Sequence, residues 1–67
     1  MSDGPSDEER RRRLRHDLRS PLTIITGFAE LLASEKPIAE TTRREYAARI
    51  RAAAIELRTM LDEELDR

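Results

Sequence analysis

The stretch that decides the fold is residues 14–32, which have the sequence LRHDLRSPLTIITGFAELL. At about 100° per residue, the turn of an α-helix, its apolar side chains form one stripe. That stripe comprises Leu14, Leu18, Leu22, Ile25, Ala29 and Leu32. His16 falls on the opposite side, where we expect it to face solvent. The pattern predicts an amphipathic helix that carries an exposed histidine.

Capping signals predict where two helices begin. Ser6 with Glu9, and Thr42 with Glu45, have the spacing of a capping box. Lys36-Pro37 interrupts the helical periodicity between them, and no segment shows the alternation of a strand. The sequence therefore predicts an all-α chain with the following parts: a disordered tail at 1–5 and a helical hairpin domain at 6–67, with helix 1 at about 7–33, a loop at 34–41 and helix 2 at about 42–66.

The second helix has an apolar seam of its own. Its members are separated by four and three residues, and they are Tyr46, Ile50, Ala53, Leu57 and Met60. A further set widens this seam: Ala47, Ala54, Leu61 and Leu65. Helix 1 is broader still, because Ile24 and Leu31 extend its apolar arc to about half of the circumference. One neighbouring helix cannot bury that arc.

A chain of 67 residues with 40% charged residues and no cysteine cannot build a large core alone. Self-association is the remaining source of stability. We therefore predict that two antiparallel hairpins pair about a twofold axis as a homodimeric four-helix bundle.

Pro21 interrupts the hydrogen-bond ladder of the first helix. Proline removes the bond to the carbonyl of Asp17 and normally costs about 3 kcal/mol inside a helix. One alternative is that Ser20 caps a second helix that begins at Pro21. The other is one helix kinked near Pro21, which the unbroken apolar phase from Leu14 to Leu32 favours.

Composition argues against several classes of protein. The net charge of −1, with both signs mixed, argues against a general nucleic-acid or membrane binder. The Arg10–Arg13 run is offset by Asp7, Glu8 and Glu9, without aromatic residues for base stacking, so we interpret it as a solvated, ion-paired helix turn. There is no apolar run long enough to insert into a membrane and no His/Cys cluster for a metal. We expect a cytoplasmic location.

One motif resembles a known family. Residues 16–23 have the order HDLRSPLT, and residues 27–32 follow with GFAELL. This set resembles the H-box of the dimerisation and histidine-phosphotransfer (DHp, HisKA-type) domain of bacterial sensor histidine kinases. The match covers helix 1, whereas the loop and helix 2 agree in length and apolar spacing.

The resemblance implies roles for individual residues. His16 would accept the γ-phosphoryl group of ATP and pass it to an aspartate of a response regulator. Asp17 would be the general base, where the family more often has Glu. Ser20 occupies the position from which a Thr or Asn in some members orients a water for dephosphorylation of the regulator. Independently of the resemblance, the chemistry of Arg15 and Arg19 suits either contact with phosphate oxygens or a purely solubilising role on the helix surface.

The residues around His16 also predict where partners bind. Ser20, Thr23 and Gly27 follow the histidine as a lane of small side chains that admits a partner's backbone. On helix 2, Ala48, Ala52 and Ile55 form a minor apolar lane outside the seam, a candidate docking surface for the response-regulator receiver domain.

The chain binds no cofactor that the sequence reveals. No Gly-rich lid sequence or magnesium-binding Asn motif follows helix 2, so we expect ATP and Mg²⁺ on a separate histidine-kinase ATP-binding domain. The chain would then not be catalytically self-sufficient, and it would be either part of a larger kinase or a free-standing phosphotransfer protein. The alternative function is a purely structural dimerisation hairpin in which the histidine is dispensable.

Overall fold

The computed structural model describes residues 6–65 as two long antiparallel helices. Helix α1 comprises Asp7–Ala33 and helix α2 comprises Glu40–Leu65. The hairpin is elongated, with principal extents of 57 × 18 × 10 Å. The tail predicted at 1–5 and the last residue predicted for helix 2 lie outside the described residues.

Helix α1 begins with a side-chain cap. The Ser6 hydroxyl accepts a hydrogen bond from the backbone N–H of Glu9 at 3.1 Å. Asp7, Glu8 and Glu9 occupy the first turn, where carboxylates interact favourably with the positive end of the helix dipole. The last helical residue is Ala33, and Ser34 caps this end. The backbone of Ser34 is extended (φ −64°, ψ 148°), so the chain leaves the helix axis there, and its N–H donates a hydrogen bond to the carbonyl of Leu31.

Helix α2 begins two residues before the predicted Thr42. The carbonyl of Ala39 accepts a hydrogen bond from the N–H of Arg43 at 2.9 Å, which closes the first turn. Glu40 lies in that turn and pairs with Arg43 and Arg44, at 3.9 and 3.3 Å. An acidic residue followed by basic residues three and four positions later stabilises a first turn, so this pairing extends the helix past the predicted capping box.

The two helices meet along a seam of side chains spaced alternately by about three and four residues. In α1 the buried or half-buried residues are Leu14, Leu18, Pro21, Ile25, Phe28 and Leu32. In α2 they include all five predicted seam residues: Tyr46, Ile50, Ala53, Leu57 and Met60. The rings of Phe28 and Tyr46 pack with centroids 5.1 Å apart and planes tilted by 42°.

Two members of the predicted α1 stripe do not lie in this seam. Leu22 is 47% exposed, and Ala29 is also exposed. Pro21 and Phe28, one position earlier in each case, are buried and half-buried instead. Two helices that pack along their length make contacts that repeat every 3.5 residues. The predicted stripe used 3.6 residues per turn, so at these two positions the observed contact falls one residue earlier in the chain.

Pro21 lies within the seam and does not end the helix. Helix α1 runs through it without a break, so the alternative of two separate helices is wrong. Pro21 is the largest fully buried side chain among the described residues. Its ring fills the interhelical contact, and this burial offsets part of the cost of the lost backbone hydrogen bond.

The hairpin has two flanks, one on each side of the seam. A shallow cleft between the helices is lined by Ile24, Phe28, Arg49, Ala52, Ala53 and Glu56, which defines the Ile24 flank. By helical position, the opposite side is the Leu22 flank, comprising Leu22, Ala29, Ala47, Ala54 and Leu61. All five of these residues are exposed in the single hairpin.

Neither helix meets the length and hydropathy needed for a membrane-spanning segment within residues 6–65.

Candidate functional site

His16 lies near the middle of the first half of α1, on the face turned away from α2. Its side chain is exposed, as the sequence predicted. A shallow cleft beside it is lined by Glu9, Arg12, Arg13 and His16. Helical side chains lean toward the helix N-terminus, so His16 covers the turn that carries Arg12 and Arg13. The imidazole is therefore open to a large partner and shares its cleft with the side chains of Arg12 and Arg13.

Asp17 is exposed and follows His16 directly in the helix. Consecutive helical residues diverge by about 100° and do not face each other. Between the two side chains no hydrogen bond is found within the part of the chain that the structure describes. Contact between the carboxylate and the imidazole proton therefore depends on rotation of the Asp17 side chain, and its role as base stays a prediction.

The small-residue lane continues from His16 along the outer surface of α1. Ser20, Thr23 and Gly27 are all exposed. The Thr23 hydroxyl donates a hydrogen bond to the carbonyl of Arg19 at 2.8 Å, which fixes its rotamer. A methyl group built at Gly27 would meet no atom within 4 Å. The lane thus has open space above its glycine, as a surface that accepts a partner requires.

Arg19 does not line the cleft beside His16. It lies instead with Arg15, Leu22, Thr23 and Thr26 along a neighbouring groove. Arg12 and Arg13, which the sequence analysis assigned to a solvated turn, are the arginines that border the histidine. Their positions four and three residues before His16 were the available signal, because such residues are neighbours on a helix.

The predicted docking residues of helix 2 lie on the exposed surface of α2. Ala48, Ala52 and Ile55 are exposed, and Ile55 retains 42% of its accessible surface. Ala52 borders the cleft that also contains Ile24 and Phe28. Thr23 lies in a different groove, so the structure does not bring the predicted docking residues of the two helices together at one place. Ile24, which was predicted only as a packing residue, and Phe28 border the cleft with Ala52 instead.

The described part of the chain offers no metal site. No group of three or more His, Cys, Asp or Glu residues within 6–65 is arranged to hold an ion.

The described chain is a two-helix hairpin with an exposed histidine on its outer face, five residues before a buried proline. The model of one family, described as His Kinase A (phospho-acceptor) domain, matches residues 12–67, and the chain belongs to this family. The matched region contains His16 and the seam residues of both helices. The family serves sensor histidine kinases in two-component signal transduction.

One curated relative shares this region. The protein named Sensor protein DivL, from Caulobacter vibrioides, is 45% identical to the chain over 51 residues, which cover 76% of this chain and 6% of that protein. The chain thus spans a small fraction of the length of the relative it matches. No solved structure matches it significantly.

Proposed function

We propose that this chain is the phosphotransfer hairpin of a two-component system, with His16 as the phosphoryl carrier. The observation that supports this most directly is the position of the imidazole: it lies within the family match, outside the seam and open to solvent. An acceptor that must meet two different partners in turn needs such an exposed position.

The proposed reaction has two steps. A ring nitrogen of His16 attacks the γ-phosphorus of ATP, a nitrogen–phosphorus bond forms, and the bond to the leaving ADP oxygen breaks. Asp17 accepts the ring proton or holds it until water removes it. A carboxylate oxygen of a receiver aspartate then attacks the same phosphorus, the nitrogen–phosphorus bond breaks, and the leaving imidazole takes back a proton from Asp17 or water. ATP and Mg²⁺ would be held by a separate ATP-binding domain.

Dimerisation is part of this proposal, and the Leu22 flank is the face that best supports it. The five residues that define it carry no charge, and Arg15 and Arg19 line a groove with Leu22 at one end of it, whereas the Ile24 flank contains Arg49 and Glu56 within its cleft. Burying charged groups at a symmetric interface is unfavourable unless they find partners. Two hairpins joined through their Leu22 flanks would form the four-helix bundle and leave His16 exposed.

The receiver domain would then bind on the Ile24 flank. This flank combines a cleft with apolar walls at Ile24 and Ala52, and the small-residue lane lies beside it on α1. The cleft is continuous with a surface that has room for another backbone, at Gly27. Ser20 lies between His16 and this flank, at a place from which its hydroxyl could orient a water near a docked aspartyl phosphate.

The test is a two-stage transfer assay with radiolabelled ATP. The chain is incubated with a panel of histidine-kinase ATP-binding domains and then with a panel of receiver domains. We expect label on the wild-type chain in an acid-labile, base-stable linkage, followed by its loss to a receiver. His16→Gln should give no label and an unchanged circular dichroism spectrum.

The structural-hairpin alternative predicts a different result. In that case the wild type and His16→Gln would behave alike in every combination, while both still dimerise. Asp17→Asn tests the role of the base independently of the acceptor. It should slow labelling without preventing it, since the imidazole stays in place.

A further inference from the structure

The strongest charged feature outside the roles assigned above is the pair of arginines beside His16. Arg12 and Arg13 lie four and three residues before the histidine and border the same cleft. Residues with this spacing have Cβ atoms about 5–6 Å apart on a helix. Both guanidinium groups are exposed and on flexible stems, so each can reach an atom placed on the outer edge of the imidazole.

We propose that Arg12 and Arg13 bind the phosphoryl oxygens of phospho-His16. This inference rests on the proposed role of His16 as phosphoryl acceptor and adds the groups that hold the product. A phosphoryl group brings a charge of about −1.5 to −2 and three acceptor oxygens to the cleft. Guanidinium groups match such oxygens in geometry, and their hydrogen bonds to phosphate are charge-assisted.

The present partners of these arginines can be displaced. Arg12 pairs with Glu8 at 3.7 Å, but the two side chains are 72% and 83% exposed. An ion pair as exposed as this contributes little to stability. A phosphoryl group of higher charge one helical turn away would therefore compete well for Arg12.

Two carboxylates near the cleft act in the opposite direction. Glu9 borders the cleft itself, and Asp17 follows His16 in the chain. Helix α2 packs on the other side of α1, so its charged residues do not face the imidazole. Two positive side chains, Arg12 and Arg13, and two negative ones, Glu9 and Asp17, therefore determine the charge on the outer surface around His16. Arg15 and Arg19 lie along the adjacent groove.

The test uses a chemical phosphoryl donor, which makes it independent of any kinase or receiver. With potassium phosphoramidate, a ring nitrogen of His16 attacks phosphorus, the nitrogen–phosphorus bond of the donor breaks, ammonia leaves, and the ring proton passes to water. The purified chain so modified is titrated by ³¹P NMR at low ionic strength. The signal gives the pKa for the second ionisation of the phosphoryl group.

Arginine contact stabilises the dianion and lowers this pKa. We expect the double variant Arg12→Gln/Arg13→Gln to raise it by about half a unit relative to the wild type. The matched control, Arg10→Gln/Arg11→Gln, removes the same charge from the same segment at positions outside the cleft, and it should change the pKa by less than about 0.2 unit. Glu9→Gln should lower it. Glutamine has nearly the helix propensity of arginine, and circular dichroism verifies the fold.

Equal shifts in the two double variants would overturn the proposal, because only long-range charge would then be acting. A difference that persists unchanged in about 1 M salt would also contradict it for side chains this exposed. Failure of phosphoramidate to modify His16, with free imidazole modified in the same buffer, would overturn this inference together with the proposed function, because the imidazole would not be available as an acceptor. A positive result together with failed transfer to every receiver would leave this inference standing and overturn the proposed function instead.

Discussion

Replacement of Gly27 by alanine is expected to stabilise the hairpin. In a helix interior, alanine is more favourable than glycine by about 0.5–1 kcal/mol. The added methyl group has no steric cost here, since no atom other than those of its chain neighbours and its own helix backbone lies within 4 Å of its position. The backbone is helical and needs no left-handed conformation at this residue.

The size of the effect follows from the size of the chain. For a domain of about 60–100 residues, each kcal/mol shifts the melting temperature by about 4–8 °C. We therefore expect Gly27→Ala to raise Tm by about 2–8 °C, measured by circular dichroism at one fixed protein concentration because association also affects Tm. A lower Tm would refute the reasoning, as it would show that the methyl group displaces something packed against Gly27 in the assembled protein.

The same variant tests whether the lane binds a receiver. A methyl group in a close helix contact costs about 1–3 kcal/mol, so transfer from phospho-His16 to a receiver should slow by about fivefold or more. Labelling by phosphoramidate should not change. Thr26→Ala is the control, because it also adds helix propensity one residue away but lies about 100° around the helix from Gly27. Equal transfer rates for both variants and the wild type would exclude Gly27 from the docking surface.

Three further predictions concern the dimer interface, the contact between the two helices and the cap of α1. Leu22→Glu should convert the proposed dimer into monomers in sedimentation velocity. Ile24→Glu, with similar exposure on the other flank, should stay dimeric. The reverse pattern would assign the dimer interface to the Ile24 flank. Phe28→Ala should destabilise the chain by about 2–3 kcal/mol in urea unfolding, because it removes the ring that packs on Tyr46, and a loss below about 0.5 kcal/mol would show that this aromatic contact contributes little. Ser6→Ala should cost about 1 kcal/mol and increase hydrogen exchange at the first turn of α1, while an unchanged exchange rate at the Glu9 amide would contradict its role as cap.

Most of the local structure could be predicted because it depends on contacts between neighbours in the sequence. The Ser6 cap and the seam of α2 follow from side chains three or four positions apart, and the end of α1 follows from the break in periodicity at Lys36-Pro37. The position of His16 on the outer face follows from the same periodicity. Recognition of the motif around it was equally local, since all of its residues lie on one helix.

The sequence by itself therefore determined two amphipathic helices and the exposed histidine, because helical periodicity fixes which face each residue occupies. Only the tertiary structure decided that Pro21 and Phe28, rather than Leu22 and Ala29, pack against α2. Adjacent positions differ by about 100° around a helix, and the choice between them depends on the direction of the second helix. The grouping of Ile24 on α1 with Ala52 on α2 also required the coordinates. Such groupings depend on how side chains lean and how helices register, which residue spacing leaves open.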